Sequence, residues 1–282
     1  MSENADERMR KYEDAMKAPL PDTRISGMGT FSIPGLGNGR IAGTGQLSPE
    51  LVRVSGTGTL PGGISVNRVI GSGSVTFKGD LEGGTIDLSG TARINGKVGF
   101  DSLKASGTLT VGGDAKGGSM RVSGTSRIEG GVDLTGNLIS NGLLHSNGDV
   151  TVGGYTDFEG SIEIGGKLVA GTVEGSLRRE RSHVDGGIEA DFVDIRKGGR
   201  RGVNIILRLL WREERDGDLH TKSLTGRKSV YIENVYCESV SGGDVTIGEG
   251  CRVGRVRYTG KVTVHPEAEV ESPPEKVGSL TD

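Results

Sequence analysis

A repeat of seventeen residues runs through the first half of the chain and limits what this chain can fold into. The tripeptide Ser-Gly-Thr, or a close variant of it, begins at Ser55, Ser72, Ser89, Ser106 and Ser123. An aliphatic series keeps the same step, at Val52, Val69, Ile86, Leu103 and Met120. A short fixed period predicts a solenoid, because units of this size can bury an apolar face only by stacking on one another.

One unit, Val52 to Arg68, shows what each repeat encodes. Apolar or small residues stand two apart three times, and glycine-rich or polar corners separate these pairs. Three short strands and three corners predict one turn of a three-sided β-helix, so the fold class is all-β. Weaker copies extend the pattern over residues 23–201 and again over residues 219–270. About a dozen such coils, at ~4.8 Å each, would span about 60 Å.

Three segments lack the repeat. In residues 1–22, four residues share one helical face and predict a short amphipathic helix, which would cap the first coil, dock elsewhere or stay loose: Ala5, Met9, Tyr12 and Met16. Residues 202–218 predict an inserted arm, either a strand pair or a short helix. This arm would cover a face of its own solenoid or contact a second chain. Residues 271–282 include Pro273 and Pro274, and we expect them to form a disordered tail.

Composition excludes several classes of protein. The chain has 51 glycines, only 4% aromatic residues and a net charge of −3, so neither a large aromatic core nor a nucleic-acid partner is expected. No apolar run approaches the roughly 18–20 residues that span a bilayer. Two cysteines, Cys237 and Cys251, do not make a disulfide framework and favour the cytoplasm. Both fall at inward phases and predict small buried residues.

No set of residues predicts an active site. The four histidines, His145, His183, His220 and His265, lie far apart and form no HxxxH motif, so no metal site is expected. The glycine-rich stretches contain no phosphate-binding loop that opens a helix. Paired carboxylates occur, but outward charge on a β-helix produces such pairs without chemistry. The sequence therefore predicts neither a cofactor nor an enzyme.

Residues 178–218 are rich in arginine, offset by nearby acids. One interpretation is a solvated face. The other is local electrostatic contact with a membrane surface, a nucleic acid or an acidic neighbour. The residues that we would assign to such a contact are Arg200, Arg201, Trp211 and Arg212.

The stacked short units resemble those of the bactofilins, the polymer-forming cytoskeletal proteins of prokaryotes. The resemblance rests on the segments 132–138, 148–154, 186–193 and 243–251, and it covers roughly residues 23–270. It implies a right-handed β-helix that joins end to end into filaments without nucleotide. The left-handed hexapeptide acyltransferases also form short-coil solenoids, but their step of eighteen disagrees with the seventeen seen here.

We therefore expect a cytoplasmic scaffold protein whose main partner is another copy of itself. An open solenoid end presents unpaired backbone groups above an apolar interior, which can template the next copy. The residues assigned to this interface are Ile25, Phe31, Ile33, Val256, Val262 and Val264. The alternative is a non-polymerising rod that binds a membrane surface or another cytoskeletal protein through residues 178–218.

Overall fold

The computed structural model describes residues 20–178, 181–198 and 217–280. The chain divides into two compact units, Met1–Gly130 (unit 1) and Gly131–Asp282 (unit 2). Every regular element among the described residues is a β-strand. The predicted helix within residues 1–22 and the arm at 202–218 lie almost wholly outside the described residues.

Unit 1 contains seven long strands. They are β1 (Thr23–Ile33), β2 (Gly37–Leu47), β3 (Leu51–Leu60), β4 (Ile64–Phe77), β5 (Leu81–Ile94), β6 (Val98–Val111) and β7 (Ala115–Ile128). From β3 to β7 each strand pairs in parallel with the next, and Val52 lies opposite Val69 as the repeat requires. The predicted β-solenoid of stacked parallel coils is confirmed. The right-handed sense of the coils stays a prediction, which comes from the resemblance.

The interior of these coils is filled by the aliphatic series found in the sequence. Val52, Val69, Ile86, Leu103 and Met120 are each at most 2% exposed. Successive members lie directly opposite one another in neighbouring strands. The seventeen-residue period therefore keeps each inward side chain on the same side of the next coil, since a slip of one residue would turn it outward.

The Ser-Gly-Thr tripeptides form one corner of the coil. The glycines Gly56, Gly73, Gly90, Gly107 and Gly124 have φ between 98° and 107°, a region that side chains rarely adopt. They pair with one another down the stack, and a Cβ on each would collide with a backbone carbonyl oxygen of the preceding strand. Glycine is therefore required at this corner by both the backbone angle and the stacking distance.

At a second kind of corner, aspartate side chains accept backbone hydrogen bonds. The backbone N–H of Lys97 donates to Asp80 Oδ1 at 2.8 Å, the N–H of Lys167 to Asp149 Oδ1 at 2.8 Å, and the N–H of Lys261 to Asp244 Oδ1 at 2.9 Å. Each aspartate thus binds the start of the strand in the following coil. These bonds join coils through a corner where the strand ladder is interrupted.

The beginning of unit 1 differs from the prediction. Residues 23–47 were expected to form parallel coils, but β1 pairs antiparallel with β2, and β2 pairs antiparallel with β3. The reason lies in two three-residue turns, Pro34–Leu36 and Ser48–Glu50. The first is closed by Leu36 N–H donating to the Ile33 carbonyl at 3.1 Å, and the second by Ser48 N–H donating to the Leu51 carbonyl at 2.9 Å. Each of these turns is closed by its own backbone hydrogen bond and so reverses the chain. The equally short corners between parallel coils bond to the preceding coil instead, as the N–H of Lys78 does with the Leu60 carbonyl at 3.0 Å.

Unit 2 is also a stack of parallel coils, with less regular steps. Its strands are β8 (Val132–Leu134), β9 (Leu138–Ser146), β10 (Val150–Ile164), β11 (Leu168–Leu177), β12 (Ser182–Val184), β13 (Ile188–Lys197), β14 (Leu219–Ile232), β15 (Val235–Ile247), β16 (Arg252–Tyr258), β17 (Val262–Val264), β18 (Glu269–Val270) and β19 (Glu275–Lys276). Val150 pairs with Leu168, eighteen residues on, whereas Leu224 pairs with Val240, sixteen residues on.

Residues 271–282 were expected to form a disordered tail. The described part of this tail, residues 271–280, is ordered instead. In β19, Glu275 and Lys276 pair with Arg257 and Tyr258 of β16, and Val277 N–H donates to the Tyr258 carbonyl at 2.9 Å. The prolines at 273 and 274 occupy the corner between β18 and β19. They therefore interrupt the last coil without unfolding it.

Candidate self-association surfaces

The first predicted surface is the start of unit 1. Strand β1 pairs with β2 on one side, and no other described strand pairs with its second edge. Ile25 is partly exposed on this strand, and Met28 is 72% exposed. Phe31 and Ile33 are both buried. The Phe31 ring lies over Gly39 of β2. Of the three residues assigned to this end, Ile25 alone is accessible.

The second predicted surface is the last coil of unit 2. Val262 and Val264 pair with Val245 and Ile247 of the preceding coil. Val264 is 37% exposed and Val262 is partly exposed, whereas Val245 and Ile247 are at most 1% exposed. Val256 is 1% exposed and belongs to the core. The side chains at inward positions are thus more exposed in the last coil than in the coil before it.

The arginine-rich stretch is only partly described. Arg200, Arg201, Trp211 and Arg212 lie outside the described residues. The described cations in this stretch each contact a carboxylate: Arg178 contacts Glu159, Arg181 contacts Asp218, Arg196 contacts Asp194, and Lys197 contacts Glu249. The hydrogen bond to Asp194 raises the pKa of Arg196, whose guanidinium also lies 4.2 Å from the centre of the Tyr231 ring. This part of the surface is neutralised by its own neighbours.

A column of histidines was missed by the sequence analysis. Parallel pairing places Glu163 between His145 and His183, and His183 opposite His220. His145 Nδ1 lies 2.8 Å from Glu163 Oε2, and the His220 ring stacks on Tyr236 with centroids 4.7 Å apart. The spacing along the chain gives no sign of this column, because the steps between these coils differ in length.

The histidine column does not assemble a metal site. Among the described residues, no three histidine, cysteine, aspartate or glutamate side chains are arranged to hold a metal ion. His145 is engaged at both ring nitrogens, since its Nε2 lies 2.8 Å from Asn147 Oδ1. His220 Nε2 lies 3.2 Å from Asp218 Oδ2. The column is therefore a set of local contacts along one outward face.

Cys251 is buried, as predicted, whereas Cys237 is only partly buried. Burial raises the pKa of the Cys237 thiol to about 12 and that of the Cys251 thiol to about 11. Cys251 is 2% exposed, and its thiol donates to the Ile232 carbonyl at 3.4 Å. Thiols held in the neutral form are poor nucleophiles.

The chain matches no protein-family model, no curated protein and no solved structure. Within the described residues, no helix has the length and apolar character needed to cross a bilayer.

Proposed function

We propose that this protein is a structural scaffold that self-assembles end to end into filaments without nucleotide. One observation carries the proposal. At the last coil Val262 and Val264 are partly exposed, while the residues that they cover, Val245 and Ile247, are buried. Another copy that packed on this coil would bury the two valines as the coils inside each unit bury theirs.

The same physics that holds one coil on the next favours this association. Within each unit, neighbouring coils share backbone hydrogen bonds and an apolar interior. A terminal coil provides these groups on one side only, and such edges are templates for a further chain. The bactofilin-like pattern of short units supports the same role. Nucleotide is not needed, because stacking itself supplies the free energy of association.

Two neighbouring residues of β17 provide the test. Val262→Asp places a charge at an inward position of the last coil, whereas Thr263→Asp places the same charge on an exposed side chain. We expect negative-stain electron microscopy to show filaments for the wild type and for T263D, and short particles for V262D. Circular dichroism should show the same β content in all three proteins. Filaments of unchanged length in V262D would refute a role for this end, and a wild type without filaments would refute the proposed function.

A further inference from the structure

Three strands at the start of unit 1 share a five-residue pattern, aliphatic-x-Gly-x-Gly. It reads Ile25–Gly29 in β1, Ile41–Gly45 in β2 and Val54–Gly58 in β3. The central glycines, Gly27, Gly43 and Gly56, all have positive φ, at 90°, 132° and 107°. The three strands therefore bend at the same corner, although they alternate in direction.

Antiparallel pairing aligns the pattern of one strand with the pattern of the neighbouring strand. Between β2 and β3, Gly43 lies opposite Gly56, Ile41 opposite Gly58 and Gly45 opposite Val54. Between β1 and β2 the same rule places Gly27 opposite Gly43 and Ile25 opposite Gly45. Each aliphatic side chain thus faces a glycine of the neighbouring strand, and the bends stay in line.

The central glycines of β2 and β3 also face each other reciprocally. A Cβ on Gly43 would collide with the carbonyl oxygen of Ser55, and a Cβ on Gly56 would lie 2.5 Å from the carbonyl oxygen of Ala42. Each glycine, which has no Cβ, therefore leaves room for the carbonyl oxygen of the residue that precedes the other glycine. Gly27 has the same backbone conformation, but a Cβ built on it would meet no described atom within 4 Å. Its corner has the geometry of a strand that is paired on both sides, but among the described residues only β2 pairs with it.

We propose that the open edge of β1 pairs antiparallel with β1 of a second copy of this chain, with Gly27 opposite Gly27. This inference rests on the proposed self-assembly and names the contact at one end. A two-fold axis perpendicular to the sheet relates the two strands, so the same surface serves both copies. Ile25 then faces Gly29 of the second copy, as Ile41 faces Gly58 within one chain.

The composition of β1 suits a paired strand. Its eleven residues include one charged side chain, Arg24, and no proline. In the proposed register Arg24 lies opposite Thr30 of the second copy, so like charges do not meet. Proteins that protect an edge strand from pairing place lysines, prolines or bulges on it, and β1 has none of these. Nine residues, from Thr23 to Phe31, would pair over about 30 Å.

A pair of cysteine variants tests the register. Arg24→Cys and Thr30→Cys place thiols at exposed positions that lie opposite each other only between two copies. We expect a disulfide between chains when the two variants are mixed and oxidised. Neither variant alone should form it, because identical positions would be about 20 Å apart and a disulfide needs Cα atoms within about 7 Å. Mass spectrometry of the linked peptides separates this bond from bonds to Cys237 or Cys251.

Two glycine variants test the contact itself. Gly27→Ala would direct a methyl group at the carbonyl of Ser26 in the second copy. Gly37→Ala is the matched control, since Gly37 has φ of 108° and also meets no described atom within 4 Å. Light scattering after size exclusion should show loss of the β1-paired species for G27A and no change for G37A.

The outcomes separate this inference from the proposed function. Filaments that persist in G27A, or an oxidised mixture without the 24–30 link, would overturn β1 pairing and leave self-assembly standing. A wild type that is monomeric at every concentration would overturn both. The expected result is the mixture-specific disulfide together with the loss of association in G27A alone.

Discussion

The two ends of the described chain differ in strand length and charge. Strands β1, β2 and β3 have 11, 11 and 10 residues, whereas β17, β18 and β19 have 3, 2 and 2. Residues 262–280 contain four glutamates against one lysine, while β1 contains only one charge.

This difference shows that a solenoid can end in two ways. Short strands and like charges limit backbone pairing at an edge, whereas a long strand with a single charge favours it. We therefore expect the first end to associate through strand hydrogen bonds and the last end through the apolar contact of Val262 and Val264. The following variants compare positions inside the stack with matched positions at its ends.

The largest effect is expected at the glycine corner. Gly73→Ala combines an unfavourable φ with a collision against the Gly56 carbonyl, and we expect it to lower the free energy of unfolding by about 4 kcal/mol. Gly27→Ala has the same unfavourable φ without a neighbour, so a loss of about 1 kcal/mol is expected. Urea denaturation at low protein concentration measures both. Equal losses would show that the backbone angle, and not the stacking distance, selects glycine.

An intermediate effect is expected where the last coil covers the one before it. Ile247 is fully buried, and Ile247→Ala should cost about 3 kcal/mol through lost contacts and a cavity. Val264, its partner in the last coil, is 37% exposed, and Val264→Ala should cost less than about 1 kcal/mol. Thermal and urea denaturation of both variants check this difference. If V264A proved as costly as I247A, the last coil would be packed as tightly as an interior one.

The smallest effect concerns the aspartate corners. Asp149→Ala removes an acceptor between interior coils and should lower the free energy of unfolding by about 1 kcal/mol. Asp244→Ala removes the acceptor that holds the N–H of Lys261 at the start of the last coil. We expect faster amide exchange confined to residues 261–264 in D244A and little change in global stability. Exchange that accelerates throughout unit 2 would show that the last coil stabilises the whole unit.

The sequence predicted the parallel coils of unit 1 because five units keep one step, and a strict step leaves a single register. It did not predict the antiparallel start. The pattern aliphatic-x-Gly-x-Gly occurs in β1, β2 and β3 alike, although β2 runs opposite to the other two, so its presence does not reveal which way a strand runs. The turns at Pro34–Leu36 and Ser48–Glu50 decide the direction, because their backbone hydrogen bonds close each turn on itself and not on the preceding coil.

The candidate sites were predicted less well than the fold. Ile25, Val262 and Val264 lie where the sequence placed them, at terminal strands with partial exposure. Phe31, Ile33 and Val256 share the same aliphatic or aromatic character but are covered by neighbouring strands. Pattern alone gives the face on which a side chain lies. It does not say whether another strand covers that face.

The sequence by itself determined that this chain stacks, because a fixed period with glycine at a fixed phase allows a narrow aliphatic interior and little else. It also determined the corner, since Ser-Gly-Thr supplies the only residue that tolerates the positive φ at Gly73 and its equivalents. The tertiary structure alone decided the direction of the first strands, the burial at each end and the alignment of His145, His183 and His220. These depend on which strands become neighbours, and neighbours in a solenoid are set by the hydrogen bonds of each turn and by the length of each coil.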